Sequence, residues 1–370
     1  MRSWWIALLA VVAPLALGRG DDGAKGAADL AGSRGEPRLR AALADYRAGL
    51  RPEARDQAQF PFDDPQRLDW HFIPRERRGL SLAAMALPER LATDALLRKF
   101  LNSRGYLRVR AILELEEELR EAEQAAGRDG LFRDRERYHV SLFGDLAASA
   151  PWGFRFEGHH LSLQFTGVPG AGVAVTPLFL GANPAQVRRG SRAGMSVLAS
   201  IEEAARALLL ALDATQRSKA VIAATAPADV LFGPGQTAPE RAAGLPLGNL
   251  GAVAMARLVE LWDELPLHDL TVASPTRADF ETPEGFLSEG RFVWAGSADP
   301  GAPHYWRLSL GNDVVEWDNT QDGANHAHLL TRNAHHDFAA DWLAQHRRIE
   351  HAEGAPSGRD RPDEGDDSSR

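Results

Sequence analysis

The stretch Tyr305-Trp306-Arg307-Leu308-Ser309-Leu310-Gly311-Asn312-Asp313-Val314-Val315-Glu316-Trp317-Asp318 decides the fold class. Tyr305 to Leu310 and Val314 to Asp318 are rich in aromatic and β-branched residues, and Gly311-Asn312-Asp313 between them is turn material, so the segment reads as two antiparallel strands. Outward from it, Phe292 to Gly296 adds a strand before a turn at Ala298 to Gly301, and Asn325 to Thr331 adds one after, which makes a meander. Upstream, His139 to Phe143 is strand-like. Trp152 to Phe156 and His160 to Phe165 alternate around a corner at Glu157-Gly158, and Ala171 to Leu180 precedes a turn at Gly181 to Pro184. Leu68 to Ile73 also alternates and reads as a short strand.

Helical spacing covers Leu39 to Leu50, Pro88 to Phe100, Leu107 to Ala126, Ser196 to Ala220, Gly251 to Glu264 and Asp337 to Arg347. Ser200 and Glu203 form a capping box inside the fourth of these, and Pro266 stops the fifth. Strands and helices come in runs rather than in strict alternation. The expected class is therefore α+β, an antiparallel meander packed with several helices.

The 370 residues carry 42 Lys plus Arg against 51 Asp plus Glu, a net charge of −9, which argues against a nucleic-acid binder. Without cysteine there are no disulfides, thiolate metal sites or thiol nucleophiles, so a metal site would have to use His, carboxylates and amide oxygens. At the start, Met1-Arg2-Ser3, the apolar run Trp4 to Leu17 and small residues around Ala16 and Gly18 have the layout of a secretory signal peptide. The alternative is an uncleaved anchor, although the run is shorter than the roughly 20 residues a comfortable span needs. The expected organisation is a signal peptide over 1–18, a flexible linker over 19–36, one domain over 37–350 and a disordered charged tail over 351–370. The protein is expected to be exported, periplasmic or secreted, with no stable membrane span after processing.

Twelve histidines focus attention on Asp318-Asn319-Thr320-Gln321 and Asn325-His326-Ala327-His328. On a strand, positions i and i+2 share a face, so His326 and His328 project side by side at a spacing suited to one metal ion. Asp318 can add a carboxylate, and His304, opening a strand of the meander, can approach the same sheet end. In Glu157-Gly158-His159-His160 the two imidazoles point to opposite faces of an ideal strand. His160 shares its side with Ser162 and Gln164, which makes it the candidate acid–base or fourth ligand, while His159 is a core or supporting group unless Gly158 makes a bulge. Arg332, four residues after His328, is placed to bind a substrate anion or to pair with an acid of the same cluster, and Asn319, Gln321 and Asn325 to bind substrate through their amides. His335 and His336 precede a helix that Asp337 caps and read as exposed. The plainer alternative for the whole cluster is a hydrogen-bonded loop with satisfied core histidines. No Walker loop, dinucleotide-binding glycine motif, HExxH, nucleophile elbow or EF-hand is present.

Three motifs in order carry a resemblance. Glu157 to Thr166 (EGHHLSLQFT), Phe179 to Val187 (FLGANPAQV) and Asp318 to His328 (DNTQDGANHAH), with Arg332 following, resemble a family defined only as domain of unknown function 3500. The resemblance spans about Pro37 to His346 and implies membership, with no activity to carry over. The chain departs from the pattern at Asn333, where the family has Asp after the arginine, and at His335-His336, where histidine is not part of it.

Three functions follow as expectations. The first is a metal-dependent hydrolase acting on a small molecule, with zinc first among divalent ions and copper, manganese or iron as alternatives. The second is a non-catalytic module that binds a sugar or peptide in the same polar cleft. The third is a copper-dependent oxidoreductase.

Overall fold

The computed structural model describes residues 35–353 apart from 131–132, 148, 238–242, 272–286 and 288–289. The expected signal peptide, almost all of the linker and most of the charged tail lie outside the described residues. Among these residues there are eight α-helices: α1 Gly35–Gly49, α2 Pro52–Ala58, α3 Leu87–Phe100, α4 Ser103–Ala125, α5 Ala199–Ala211, α6 Ala214–Ala220, α7 Ala252–Glu264 and α8 Ala340–Glu353. The first begins two residues before the expected domain edge, because Glu36 is buried and accepts hydrogen bonds from the Trp152 indole and Arg40. No described helix is long and apolar enough to cross a membrane.

One sheet organises the chain. Its strands are β1 Gln59–Phe60, β2 Leu80–Ser81, β3 His139–Phe143, β4 Trp152–Gly158, β5 Leu161–Val168, β6 Gly172–Ala174, β7 Leu178–Ala182, β8 Val221–Ala223, β9 Leu245–Pro246, β10 Arg291–Gly296, β11 His304–Leu310, β12 Asp313–Gln321 and β13 His326–Asn333. The order along the sheet is β1-β3-β4-β5-β7-β13-β12-β11-β10-β8. Two antiparallel meanders, β3-β4-β5 and β10 to β13, thus meet at one seam, where β7 pairs with β5 on one side and β13 on the other. The class is α+β, as the alternation of runs implies.

Both faces are buried, and they differ in chemistry. Trp152, Phe154, Phe156, Leu163, Leu180, Leu329, Trp317, Trp306 and Trp294 point to the face packed by helices and form the main core. The other face carries Ser141, Arg155, Glu157, Ser162, Gln164, Asp318, Glu316, Arg307 and His328. Loops cover it. Trp70 and Phe72 pack there on Phe179 and Leu330, which is why Leu68 to Ile73 alternates in burial without forming the expected strand. The segment after β8 is clamped on the same face: Glu316 accepts the amides of Leu231 and Phe232 at 3.0 and 2.9 Å and the Tyr305 hydroxyl at 2.6 Å.

Local departures have local causes. The β4–β5 hairpin turns at His159-His160, with Gly158 paired to Leu161, rather than at Glu157-Gly158. A side chain at Gly158 would collide with the Tyr138 ring at 2.5 Å, so the glycine serves packing instead of the turn. The expected strand from Ala171 to Leu180 is split into β6 and β7. The expected helix to Ala220 breaks at Asp213, which caps α6 in a box with Gln216, while Ser200 bonds Glu264.

Candidate metal centre

Three imidazoles from two distant segments meet on the loop-covered face. His326 and His328 lie at i and i+2 of β13. His160 comes from the tight β4–β5 turn, where its φ of 59° aims the ring across β7. Gly181 permits this approach: it pairs with His328, and a Cβ there would stand 2.8 Å from the His160 ring. Backbone bonds from His160 N to Phe72 O (2.9 Å) and from Gly181 N to His160 O (2.7 Å) fix the turn. The His160 and His326 Nε2 atoms are 2.8 Å apart, those of His326 and His328 3.0 Å, and one nitrogen from each of the three rings falls within 4.8 Å of the others.

The outer nitrogens explain why that convergence is chemically informative. His328 Nδ1 is 2.6 Å from Asp229 Oδ1, and His326 Nδ1 is 3.0 Å from Asp322 Oδ2, with the Asn183 amide beside both partners of the second pair. A carboxylate can only accept, so the tautomer that serves both pairs has its proton on Nδ1 and leaves Nε2 as an acceptor. In that tautomer the Nε2 lone pairs of His326 and His328 face each other at 3.0 Å, an arrangement that a shared cation would stabilise. Burial holds His160 well below the ordinary imidazole range and brings His326 down to about 4, which disfavours a second proton on either of these two rings. Three nitrogens on a tetrahedral zinc at ~2.0–2.1 Å would be about 3.3 Å apart, not far from the separations of 2.8 and 3.0 Å on either side of His326 Nε2. Carboxylates on the far nitrogens are the usual support of metal-binding histidines.

Asp229 is held in turn. Gln321 donates to its Oδ2 at 3.2 Å and the Val230 amide to its Oδ1 at 2.7 Å. Burial pushes the Asp229 carboxyl up, but the bond from His328 and that amide outweigh it and leave the group below its ordinary value. Behind His160, the His159 ring stacks at 3.7 Å between centroids, and its Nδ1 lies 2.6 Å from Glu116 on α4. Glu116, His159 and His160 form a second group of potential ligands, but Arg133 stands 3.0 Å from His159 Nε2 and occupies that side with a positive charge.

The remaining candidates are dispersed. Asp318 pairs with His328 across the β12–β13 ladder and so shares its face, yet its oxygens are not grouped with the three nitrogens. Its Oδ1 accepts from the Thr320 amide and hydroxyl at 2.9 and 2.7 Å, its buried Oδ2 has no hydrogen bond, and burial brings the carboxyl up to about 6. His304 is not brought to the three nitrogens, in correction of the expectation that it approaches the same sheet end: it sits on the helix-packed face, stacked on Trp294 at 4.6 Å, with Nδ1 on the Ala302 carbonyl. Asn319 faces the same wrong side and accepts from His304 N at 2.8 Å, so it fastens the β10–β11 turn. Asn325 accepts from the Gln186 amide at 2.9 Å, and its side chain is spent joining two turns. Arg332 is likewise spent, on Asp337 and on the carbonyls of Phe232 and Gln236, which leaves it unsuited to a substrate anion. His336 pairs with Asp341, and His335 is exposed.

Sequence reasoning missed Asp229, Asp322 and Glu116. Asp322 lies inside the Asp318 to His328 motif, four residues before His326, and could have been found there. Asp229 sits in an unremarkable Ala-Pro-Ala-Asp loop, and Glu116 in a glutamate-rich helix face, so neither gives a local signal.

The family model described as a protein of unknown function, DUF3500, matches residues 35–340. The chain belongs to the DUF3500 family. All three motifs quoted from the sequence fall inside that match, and so do all three converging imidazoles. Neither curated proteins nor solved structures give a significant match to this DUF3500 chain.

Proposed function

We propose that this protein is an exported metal-dependent hydrolase in which His160, His326 and His328 bind one divalent cation, with zinc best suited to an all-imidazole set. The observation that carries the reading is the pair of Nε2 atoms 3.0 Å apart, each on a ring whose opposite nitrogen faces a carboxylate. Three protein ligands leave a position for water, and a bound ion of this kind brings the pKa of that water toward ~7. Asp318 is the group suited to take a proton there. It lies directly across the ladder from His328, where facing Cβ atoms are about 4.5–5.5 Å apart, and one of its oxygens is free. His326 keeps an exposed edge, with its side chain 12% accessible, so a small substrate has a way in.

Elemental analysis of protein purified without added metal tests the first half of the reading. One equivalent of zinc is expected, and it should be lost in His160→Ala, His326→Ala and His328→Ala but retained when His335 and His336 are both changed to Ala. Folded protein that takes up no ion on reconstitution would reject the metal centre. Copper in place of zinc would favour the oxidoreductase reading. Ligand binding that survives chelation, without hydrolysis, would favour the module. Export is tested by the mass of the secreted or periplasmic form, expected to begin near Gly18.

A further inference from the structure

A second cleft opens on the loop-covered face, over β4. Its cavity of about 410 Å³ lies in the size range of small-molecule sites and is lined by Asp64, Gln66, Asp69, Arg75, Arg77, Arg78, Arg155 and Glu157, among others, none of them a ligand of the three-histidine centre. Three of these charges are almost fully buried: the side chains of Arg77, Arg155 and Glu157 are 3%, 1% and 1% exposed. Two guanidiniums, which stay charged in proteins, therefore share one carboxylate. The rim does not cancel this positive excess, because Asp69 pairs with Arg75 at 2.8 Å, Asp64 with Arg78 at 3.3 Å and Glu76 with Arg137.

Hydrogen bonding is incomplete in the same place. The Nε atoms of Arg77 and Arg155 are buried without a hydrogen bond; the second is 2.9 Å from Glu157 Oε1, in ion-pair range but out of line. Gln66 Oε1 and Glu157 Oε2 are buried acceptors without a hydrogen bond, the second facing Arg77 Nε at an ion-pair distance of 3.7 Å. Such groups are costly when left alone, and native proteins pair them with protein, water or ligand. Two N–H donors held only by off-line ion pairs, on two guanidiniums that share one buried carboxylate, suit an added carboxylate. Two acceptors beside them without a hydrogen bond suit a hydroxyl or amine on the same small molecule.

We propose that this cleft binds a small organic carboxylate bearing a hydroxyl or amino donor, with Arg77 and Arg155 holding the acid and Gln66 and Glu157 the donor. The wall that separates it from the metal centre is one strand of chain: Arg75 and Arg77 line the cleft, while Phe72 packs edge-on against His328 at 5.1 Å. The cleft stands independently of the metal reading.

Titration calorimetry on the chelator-stripped full chain tests the idea without any contribution from coordination to an ion. Glycolate and glycine are the probes, acetate lacks the donor, and glycinamide lacks the acid. At least one of the first two should bind at least tenfold more tightly than acetate, and glycinamide should not bind. Gln66→Glu sets a carboxylate against the acid and should weaken the binding probe tenfold or more; Arg77→Lys, which loses Nε, should do the same. Since Arg77 also holds the carbonyls of His71 and Ile73, Gln66→Glu decides alone if Arg77→Lys does not fold. No heat with glycolate or glycine up to 10 mM, or binding that Gln66→Glu leaves unchanged, would overturn the proposal.

Discussion

Asp229 and Asp322 perform the same service for neighbouring imidazoles in different surroundings, and the difference sets the size of their effects. Asp229 is 37% exposed at its side chain, is fixed by Gln321 and Val230, and lies 2.6 Å from its histidine; Asp322 is 62% exposed and lies 3.0 Å from its own. Asp229→Asn should therefore lower zinc affinity by about 10–100-fold, the usual cost of losing such a partner, and Asp322→Asn by less. Chelator competition at fixed pH measures both, and equal effects would show that burial does not matter here. Gly181→Ala probes the approach of His160 itself. The new methyl would stand 2.8 Å from the ring, so either the ring or the β7 backbone has to shift. Loss of metal uptake with destabilisation of ~1–3 kcal/mol, the usual range for overpacking, is expected from reconstitution and denaturant titration.

These residues also show where sequence reading stops. His326 and His328 are legible because strand periodicity alone puts i and i+2 on one face. His160 is legible as polar, but its partnership is not, since 166 positions separate it from His326 and only the sheet order joins them. The same rule also separates Asp318 from Asn319: neighbours on β12 face opposite sides, so a dense run of polar letters is divided between the two layers. His304 failed for this reason. Its register partner Gly296 and its stacking on Trp294 place it on the helix side, and no local pattern reveals which side of a doubly buried sheet is polar.

At the scale of elements, the clamp on the loop after β8 links sheet packing to the three-histidine site. Glu316 receives two backbone amides and a hydroxyl, and the loop it holds delivers Asp229. Replacing it by leucine removes all three acceptor contacts and strands the Leu231 and Phe232 amides. Glu316→Leu should cost about 2–4 kcal/mol of stability and should also weaken zinc binding, although Glu316 touches no ligand. In a double-mutant cycle with Asp229→Asn, the two affinity losses should fall well short of adding, because both act through one carboxylate. Full additivity would mean that the loop stays in place without its clamp. Helices were the easier elements to read. Pro88 at the start of α3 and Pro266 after α7 mark their ends, whereas the β4–β5 corner was misplaced because glycine signals both turns and tight packing.

The whole molecule should lose stability in acid, partly through His139. Burial, with Arg77 nearby, brings this imidazole down to about 4 in the fold, against about 6.5 unfolded. Between those values the unfolded chain binds more protons, so stability rises with pH across the window and is lost as pH falls from about 6.5 to 4. A shift of this size corresponds to about 1–3 kcal/mol by pH 4. His139→Asn should flatten that part of the profile, as read from unfolding midpoints at pH 7, 5.5 and 4.5. Identical slopes for the two proteins would exclude His139 as a source of the acid sensitivity.

The seam at β7 has a kinetic consequence. The two meanders fold from separate stretches of chain, and the three nitrogens come together only after β7 has docked with a partner on each side. A chain still short of that step presents at most the His326–His328 pair, so an ion gains little from binding early. Added zinc should then leave the rate of folding nearly untouched and slow the reverse reaction, making the ion a latch on the finished sheet rather than a template for building it.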